Sequence, residues 1–151
     1  MNPRPTRRVG TLAGLVPVLV LALVTVAGGE GLTSSPVFVS SGVFTLEQAE
    51  IGREAYAQSC ARCHGPDLAG DVGPSLAPLD RFAFRDAPLS RPFEIMRTEM
   101  PFDAPGSLDD ETYAAILAYV LLENGYASGS EPLPADTESL SGFVLDAPPA
   151  D

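Results

Sequence analysis

Both cysteines and the only histidine of the chain lie within five consecutive residues, Cys60-Ala61-Arg62-Cys63-His64. The C-x-x-C-H spacing is typical of a c-type haem attachment site. Two thiols three positions apart on one helical turn can each add to one of the two vinyl groups of a haem, and the adjacent imidazole is then held under the iron. The sequence therefore predicts one covalent haem c, attached by Cys60 and Cys63 and ligated by His64.

Other uses of this motif fit the chain less well. A zinc site needs four ligands, and the sequence has no further Cys or His to complete one. A thioredoxin-like redox pair would need a βαβ context, whereas the flanking pattern here is helical. A structural disulfide between the two cysteines would leave His64 without a role.

The ligand on the other side of the iron is predicted to be a methionine, because no second His and no third Cys exist. Met1 lies in the N-terminal region, which leaves Met96 and Met100. Met96 follows Phe93 by three in a predicted helix and is expected to fill the core. Met100 precedes Pro101, and proline restricts the residue before it to extended geometry, which suits a side chain presented from a loop. We predict Met100 as the ligand; the alternative is a buried loop methionine beside an open or water-ligated iron.

The N-terminal segment is predicted to be a membrane anchor or an export signal. Three arginines precede an uncharged run that is rich in Leu, Val and Ala. As a helix, Val9–Ala27 would span about 28 Å, which is adequate for a bilayer. Thr25-Val26-Ala27 before two glycines is also an acceptable cleavage site. Both interpretations deliver the rest of the chain to the periplasmic side of a bacterial inner membrane, either anchored by residues 9–27 or soluble after cleavage.

Charge is distributed unevenly along the chain. From Gly28 onward there are 20 acidic residues and six arginines, a net charge of −14, and the chain has no lysine. Nucleic acid and anionic membrane surfaces are therefore poor partners for this part. A redox protein with a basic docking surface is favoured; the alternative is that the acidic residues only aid solubility.

Capping patterns predict the helices that position these groups. Thr45-Leu46-Glu47-Gln48 is a capping box for a helix that runs to about Ser59, and its predicted inner positions are Leu46, Ile51, Ala55 and Tyr56. Ser90 is predicted to cap a short helix. A capping signal at 107–110 opens a third helix, which ends at Asn124-Gly125. Its predicted buried residues are Tyr113, Ile116, Leu117, Val120 and Leu121.

These elements divide the chain into a signal or anchor (1–27), a flexible linker (28–44), a folded domain (45–126) and an irregular C-terminal arm (127–151). A core of about 80 residues is marginal by itself. Burial of a covalent haem would make up the deficit, so the apoprotein is expected to be largely unfolded.

Several segments together resemble class I cytochrome c: 53–65, Gly73-Pro74-Ser75-Leu76, Met100-Pro101, and Ala118-Tyr119-Val120-Leu121 with Asn124-Gly125. The stretch 97–126 is similar, more narrowly, to the cytochrome domains that accompany quinoprotein alcohol dehydrogenases. The resemblance covers about residues 45–126.

The resemblance implies an all-α, cytochrome c-like fold of three to five short helices wrapped around one haem. The N-terminal hydrophobic helix predicted above precedes this fold and lies outside the resemblance. The resemblance implies that the first and last helices cross near Gly52 and Tyr56. It also implies that the Pro74 carbonyl accepts the Nδ1 proton of His64 and orients the ring. The family commonly has a tryptophan near the haem propionates; this chain has none, and the candidates for that region are Phe82, Phe84 and Arg85.

The expected function is one-electron transfer by a mono-haem cytochrome in a periplasmic respiratory chain. The expected donor is a quinoprotein dehydrogenase, and the expected acceptor is a terminal oxidase or another cytochrome. No acid–base catalytic residues are predicted. One alternative is a haem enzyme or gas-binding sensor, which requires Met100 to be off the iron. The other is an electron-relay subunit of a larger dehydrogenase complex.

Overall fold

A computed structural model describes residues 35–79 and 84–148, all of which belong to one compact unit. In chain order the elements are β1 (Val37–Phe38), a 3₁₀ turn (Val39–Ser41), α1 (Leu46–Ser59), α2 (Ala61–His64), α3 (Ser90–Glu99), α4 (Asp110–Glu123), α5 (Thr137–Leu140) and β2 (Phe143–Val144). The helix number agrees with the predicted fold, whereas the small sheet was not predicted. The predicted signal or anchor, 1–27, lies outside the described residues. None of the helices in the described ranges has the length and apolar character that crossing a bilayer requires.

Helix α1 begins at the predicted cap, but only half of the capping box forms. The Thr45 Oγ1 accepts a hydrogen bond from the Gln48 backbone amide at 3.1 Å. The Gln48 side chain does not form the second hydrogen bond of the box, to the backbone amide of Thr45. Its Nε2 donates to the Leu133 carbonyl at 2.8 Å, and its Oε1 accepts from the Leu133 amide at 2.7 Å. Gln48 therefore ties the start of α1 to the C-terminal arm.

The buried face of α1 is set by its crossing with α4. A Cβ added at Gly52 would lie 1.8 Å from the Ala115 carbonyl oxygen, so only glycine allows this approach. One turn along, the Tyr56 and Tyr119 rings pack with centroids 5.2 Å apart. The crossing near Gly52 and Tyr56 is thus confirmed.

Two predicted inner positions of α1 are wrong. Leu46 and Ile51 are 54% and 57% exposed, whereas Ala49, Gly52 and Tyr56 are buried. The crossing at Gly52 fixes which side of the helix faces α4, and Leu46 and Ile51 are not on that side.

Helix α4 forms the centre of the core. Its five predicted buried residues are all buried, and so is every other residue from Tyr113 to Leu121. Within the predicted capping signal at 107–110, the cap is Asp109, because its Oδ1 accepts from the Thr112 amide at 2.7 Å. The helix ends at Glu123 and is capped by Asn124, with Gly125 following at φ 84°, which agrees with the predicted Asn124-Gly125 end.

The described parts of the predicted linker and arm, residues 35–44 and 127–148, pack with the folded domain, so the fold extends beyond the predicted limits of 45–126. Strand β1 pairs in parallel with β2, with Val37 opposite Phe143 and Phe38 opposite Val144. The arm buries three leucines, Leu133, Leu140 and Leu145. Their burial depends on partners far away in the chain, so no local periodicity marks them.

The arm supports helix α3. The Leu89 amide, just before α3, donates to the Phe143 carbonyl at 2.9 Å. The Thr137 hydroxyl donates to the Glu94 carboxylate at 2.9 Å. Helix α3 is therefore held from its outer side by the C-terminal arm, and it leads directly into Met100.

Candidate functional site

One apolar cavity of about 680 Å³ brings together all five predicted site residues, Cys60, Cys63, His64, Pro74 and Met100. Its lining comes from α1, α2, the loop before Leu79, α3, the loop before α4, and α4 itself. The volume lies within the range of about 300–1,000 Å³ that is usual for ligand and cofactor pockets.

The C-x-x-C-H segment is held by the loop that follows it. The Cys63 carbonyl accepts the Gly73 amide at 2.8 Å, and the His64 carbonyl accepts the Gly70 amide at 2.8 Å. The loop thus folds back on the motif, and a few backbone hydrogen bonds fix the position of its three chemical groups.

The orientation of His64 is defined by a hydrogen bond. Its Nδ1 lies 2.8 Å from the Pro74 carbonyl oxygen, as the family resemblance implied. A carbonyl can only accept, so Nδ1 carries the proton and Nε2 keeps a lone pair for a metal ion. A Cβ on Gly73 would lie 3.0 Å from the His64 Cε1, so a small residue is required beside the ring.

Two groups that line the cavity have raised pKa values. Burial is the main cause that raises the pKa of Tyr56 to about 12, and the nearby Cys60 is a smaller one. The Tyr56 hydroxyl donates to the Gly65 carbonyl at 2.7 Å. Partial burial is the main cause that raises the pKa of the Cys60 thiol to about 11, and the nearby Cys63 is a smaller one. Cys60 and Cys63 are not joined by a disulfide in this structure.

Both candidate methionines also line the cavity. Met100 follows the end of α3 with extended backbone, φ −123° and ψ 152°, as Pro101 requires. Its amide donates to the Met96 carbonyl at 3.1 Å. Met96 lies one turn earlier within α3 and is partly buried against the core. The structure therefore brings two thioethers to the cavity that His64 also lines.

This donor set matches a haem better than a bare metal ion. Thiols, an imidazole and thioethers surround an apolar cavity, as covalent attachment and two axial ligands would require. Within the part of the chain that the structure describes, no group of three or more His, Cys, Asp or Glu could hold a metal ion.

A family model described as "Cytochrome C oxidase, cbb3-type, subunit III" matches residues 47–120, the segment that builds this cavity. The chain belongs to the class I c-type cytochromes. No curated protein matches it.

Among solved structures, the cytochrome is similar to a chain of the sulfane dehydrogenase SoxCD from Paracoccus pantotrophus, with 22% identity and a TM-score of 0.42. The match covers 71% of the cytochrome and 63% of that chain, so the cytochrome spans less than two thirds of its length.

Of the three residues predicted to lie near the haem propionates, one lines the cavity. Phe84 lines the cavity, and the Arg91 guanidinium lies 5.9 Å from the centre of its ring. Arg85 is exposed and does not line the cavity. Phe82 lies outside the described residues.

The helical pattern of α4 predicts only a core position for Tyr113. Its hydroxyl donates to the Met100 carbonyl at 2.6 Å, and its side chain lines the cavity. The available signal was a hydroxyl at a position predicted to be buried, since a buried Tyr usually finds a hydrogen-bond partner.

The mouth of the cavity has two exposed apolar side chains and an ion pair. Val72 and Phe102 line the cavity and are 85% and 84% exposed. The Arg62 Nη2 lies 2.5 Å from the Asp103 Oδ1, which joins the C-x-x-C-H turn to the loop after Met100. Val72 and Phe102 thus form an exposed apolar patch beside the cavity.

Proposed function

We propose that this cytochrome is a one-electron carrier with a single haem c. The observation that carries the proposal is that the chain's two thiols and only imidazole line one apolar cavity together with two thioethers. When bound, haem c supplies a one-electron Fe(II)/Fe(III) couple.

Each residue then has a distinct role. Cys60 and Cys63 hold the haem covalently, so the cofactor is not exchanged. His64 ligates through Nε2, because the Pro74 carbonyl holds the proton on Nδ1. We propose Met100 as the opposite ligand.

The local structure supports Met100 over Met96. Met100 lies at the end of α3, where its backbone is extended and its carbonyl is anchored. Met96 lies inside α3 and packs against the core. A loop residue can present its thioether without disturbing helix packing.

The cavity chemistry favours electron transfer over acid–base catalysis. Both tyrosine hydroxyls in the described cavity lining, on Tyr56 and Tyr113, donate to backbone carbonyls. The Nδ1 proton of His64 is likewise directed to Pro74. With Met100 as a ligand, the alternative of a gas-binding or catalytic open site is disfavoured.

We propose that the partners are redox proteins that dock at the cavity mouth through basic residues around an apolar contact. Val72 and Phe102 would provide that contact, and the net charge of −14 after Gly28 would attract the partner. A quinoprotein dehydrogenase is the proposed donor, and a terminal oxidase or another cytochrome is the proposed acceptor, on the periplasmic side of the inner membrane. An electron-relay subunit within a dehydrogenase complex would use the same surface.

Salt dependence tests this docking. The Debye length falls from about 10 Å at 0.1 M salt to about 3 Å at 1 M, so electron transfer to the partner should slow steeply over that range. Rates that stay constant would indicate apolar docking or a tethered partner, with charge serving only solubility.

The ligand assignment is tested with full-length, haem-loaded Met100→Ala and Met96→Ala. Met100→Ala should lose the weak Met-sulfur-to-Fe(III) absorption band, bind carbon monoxide when reduced, and have a lower reduction potential. Met96→Ala should keep the band and lose about 2 kcal/mol of stability or less, because its side chain is only partly buried. The reverse pattern would assign the ligand to Met96.

A further inference from the structure

The backbone of Met100 is anchored at its carbonyl oxygen. This oxygen accepts the Tyr113 hydroxyl at 2.6 Å and the Gly106 amide at 3.3 Å. Tyr113 lies in the first turn of α4 and is only 2% exposed. The segment between α3 and α4, residues 100–109, is called the Met100 loop below. It is therefore attached to the central helix at the residue that carries the thioether.

The other side-chain attachments around the Met100 loop are solvated. The side chains of Arg62 and Asp103 are 59% and 57% exposed. Arg97 and Asp110 pair at 3.3 Å, with side chains 37% and 45% exposed. Exposed ion pairs contribute little to stability. The buried Tyr113 hydroxyl is thus the stronger of these attachments.

We propose that Tyr113 is a positioning residue that keeps Met100 in the sixth coordination position and so controls how readily an external ligand replaces it. The inference rests on the proposed role of Met100 as axial ligand. Replacement requires the Met100 side chain to leave. If the Met100 loop moves with it, the hydrogen bond from Tyr113 must break.

The free-energy cost of that opening sets the apparent affinity for an external ligand. A ligand that binds only the open form is weakened by the small fraction of protein that is open. Removing the Tyr113 hydroxyl raises this fraction, because the closed form loses a hydrogen bond that the open form lacks.

Tyr113→Phe removes only the hydroxyl, and Tyr126→Phe is the matched control. Tyr126 is also 2% exposed, and its hydroxyl also donates to a backbone carbonyl, that of Asp146, away from the cavity. Both variants are prepared as full-length, haem-loaded ferric protein and titrated with imidazole. Tyr113→Phe should bind imidazole about fivefold to tenfold more tightly, the equilibrium factor expected for one hydrogen bond. Tyr126→Phe should stay within about twofold, because the closed and open forms lose the same hydrogen bond.

Equal imidazole affinities in the two variants would overturn the proposal, because Tyr113 would then serve stability alone. A wild-type measurement covers the case in which Tyr113→Phe does not fold. Imidazole should accelerate hydrogen exchange at the Gly106 amide, which donates to Met100, but not at the Gly73 amide, which donates to Cys63. Unchanged exchange at Gly106 would mean that Met100 leaves by side-chain rotation with its loop in place, and would also overturn it.

Met100→Ala separates this proposal from the ligand assignment. If wild type lacks the Met-sulfur-to-Fe(III) band and Met100→Ala binds imidazole as wild type does, Met100 is not the ligand and both proposals fall. If Met100→Ala opens the site but Tyr113→Phe matches Tyr126→Phe, only the positioning role of Tyr113 falls.

Discussion

The two sides of the haem cavity are built differently. The His64 wall, residues 60–76, is held mainly by its own backbone: the carbonyls of Cys63 and His64 accept amides from residues 70–73. The Met100 wall, residues 89–109, also depends on α4 and on the C-terminal arm. Tyr113 of α4 holds the Met100 carbonyl, and Phe143 of the C-terminal arm holds the Leu89 amide.

This difference predicts unequal stability of the two walls. Local hydrogen bonds close short loops at a small entropic cost, whereas the Met100 wall requires segments far apart in the chain to come together. Segments held by few buried contacts open at the lowest free energy. The Met100 wall should therefore open first, while His64 keeps its position.

The largest effect is expected from replacing both attachment thiols, Cys60→Ala with Cys63→Ala. Covalent haem should be lost completely, and cooperative unfolding with it, because the apolar cavity between the two walls would have no occupant to bury. Haem staining of denatured protein and thermal unfolding followed by circular dichroism measure this. Ser59→Ala, a neighbour on the cavity lining without a thiol, is the control. Haem that survives denaturation in the double variant would disprove the attachment.

Leu145→Ala tests the dependence of the Met100 wall on the C-terminal arm. Leu145 is fully buried, and its amide and carbonyl bond to the backbone of Ala87 and Asp86 just before α3. The loss in the free energy of unfolding should be about 2–5 kcal/mol, as for other buried Leu→Ala changes. Denaturant titration measures it, and Val72→Ala, at an 85% exposed position, should change stability by only about 0.5 kcal/mol or less. Equal effects would show that the arm is not part of the fold.

A pair of glycine substitutions compares the walls directly. Gly70 in the His64 wall has φ 88°, and an added Cβ would lie 2.7 Å from the Ser75 amide nitrogen. Gly106 in the Met100 wall has φ 69°, but its nearest contact would be 3.4 Å away. Gly106→Ala should cost about 1–2 kcal/mol from backbone strain alone. Gly70→Ala should cost more, because the backbone of the His64 wall must also move. A larger loss for Gly106→Ala in denaturant titration would contradict the comparison.

The sequence by itself was enough to predict the His64 wall and the central helix. Cys60, Cys63 and His64 are adjacent, so their spacing alone indicates their chemistry, and the family resemblance supplied Pro74. Helix α4 was predictable because its apolar residues are continuous and its Asn124-Gly125 end is a local signal.

Tertiary structure alone decided the remaining features. Leu46 and Ile51 are exposed because the crossing at Gly52 orients α1. The apolar character of a residue does not by itself indicate which face of the helix packs against α4. The partner of the Tyr113 hydroxyl depends on where the Met100 loop returns to α4. The arm is ordered because Ser40 bonds to Asp146 and β1 pairs with β2 across more than a hundred residues. Such contacts leave no local periodicity, because their partners meet only when the whole chain has folded.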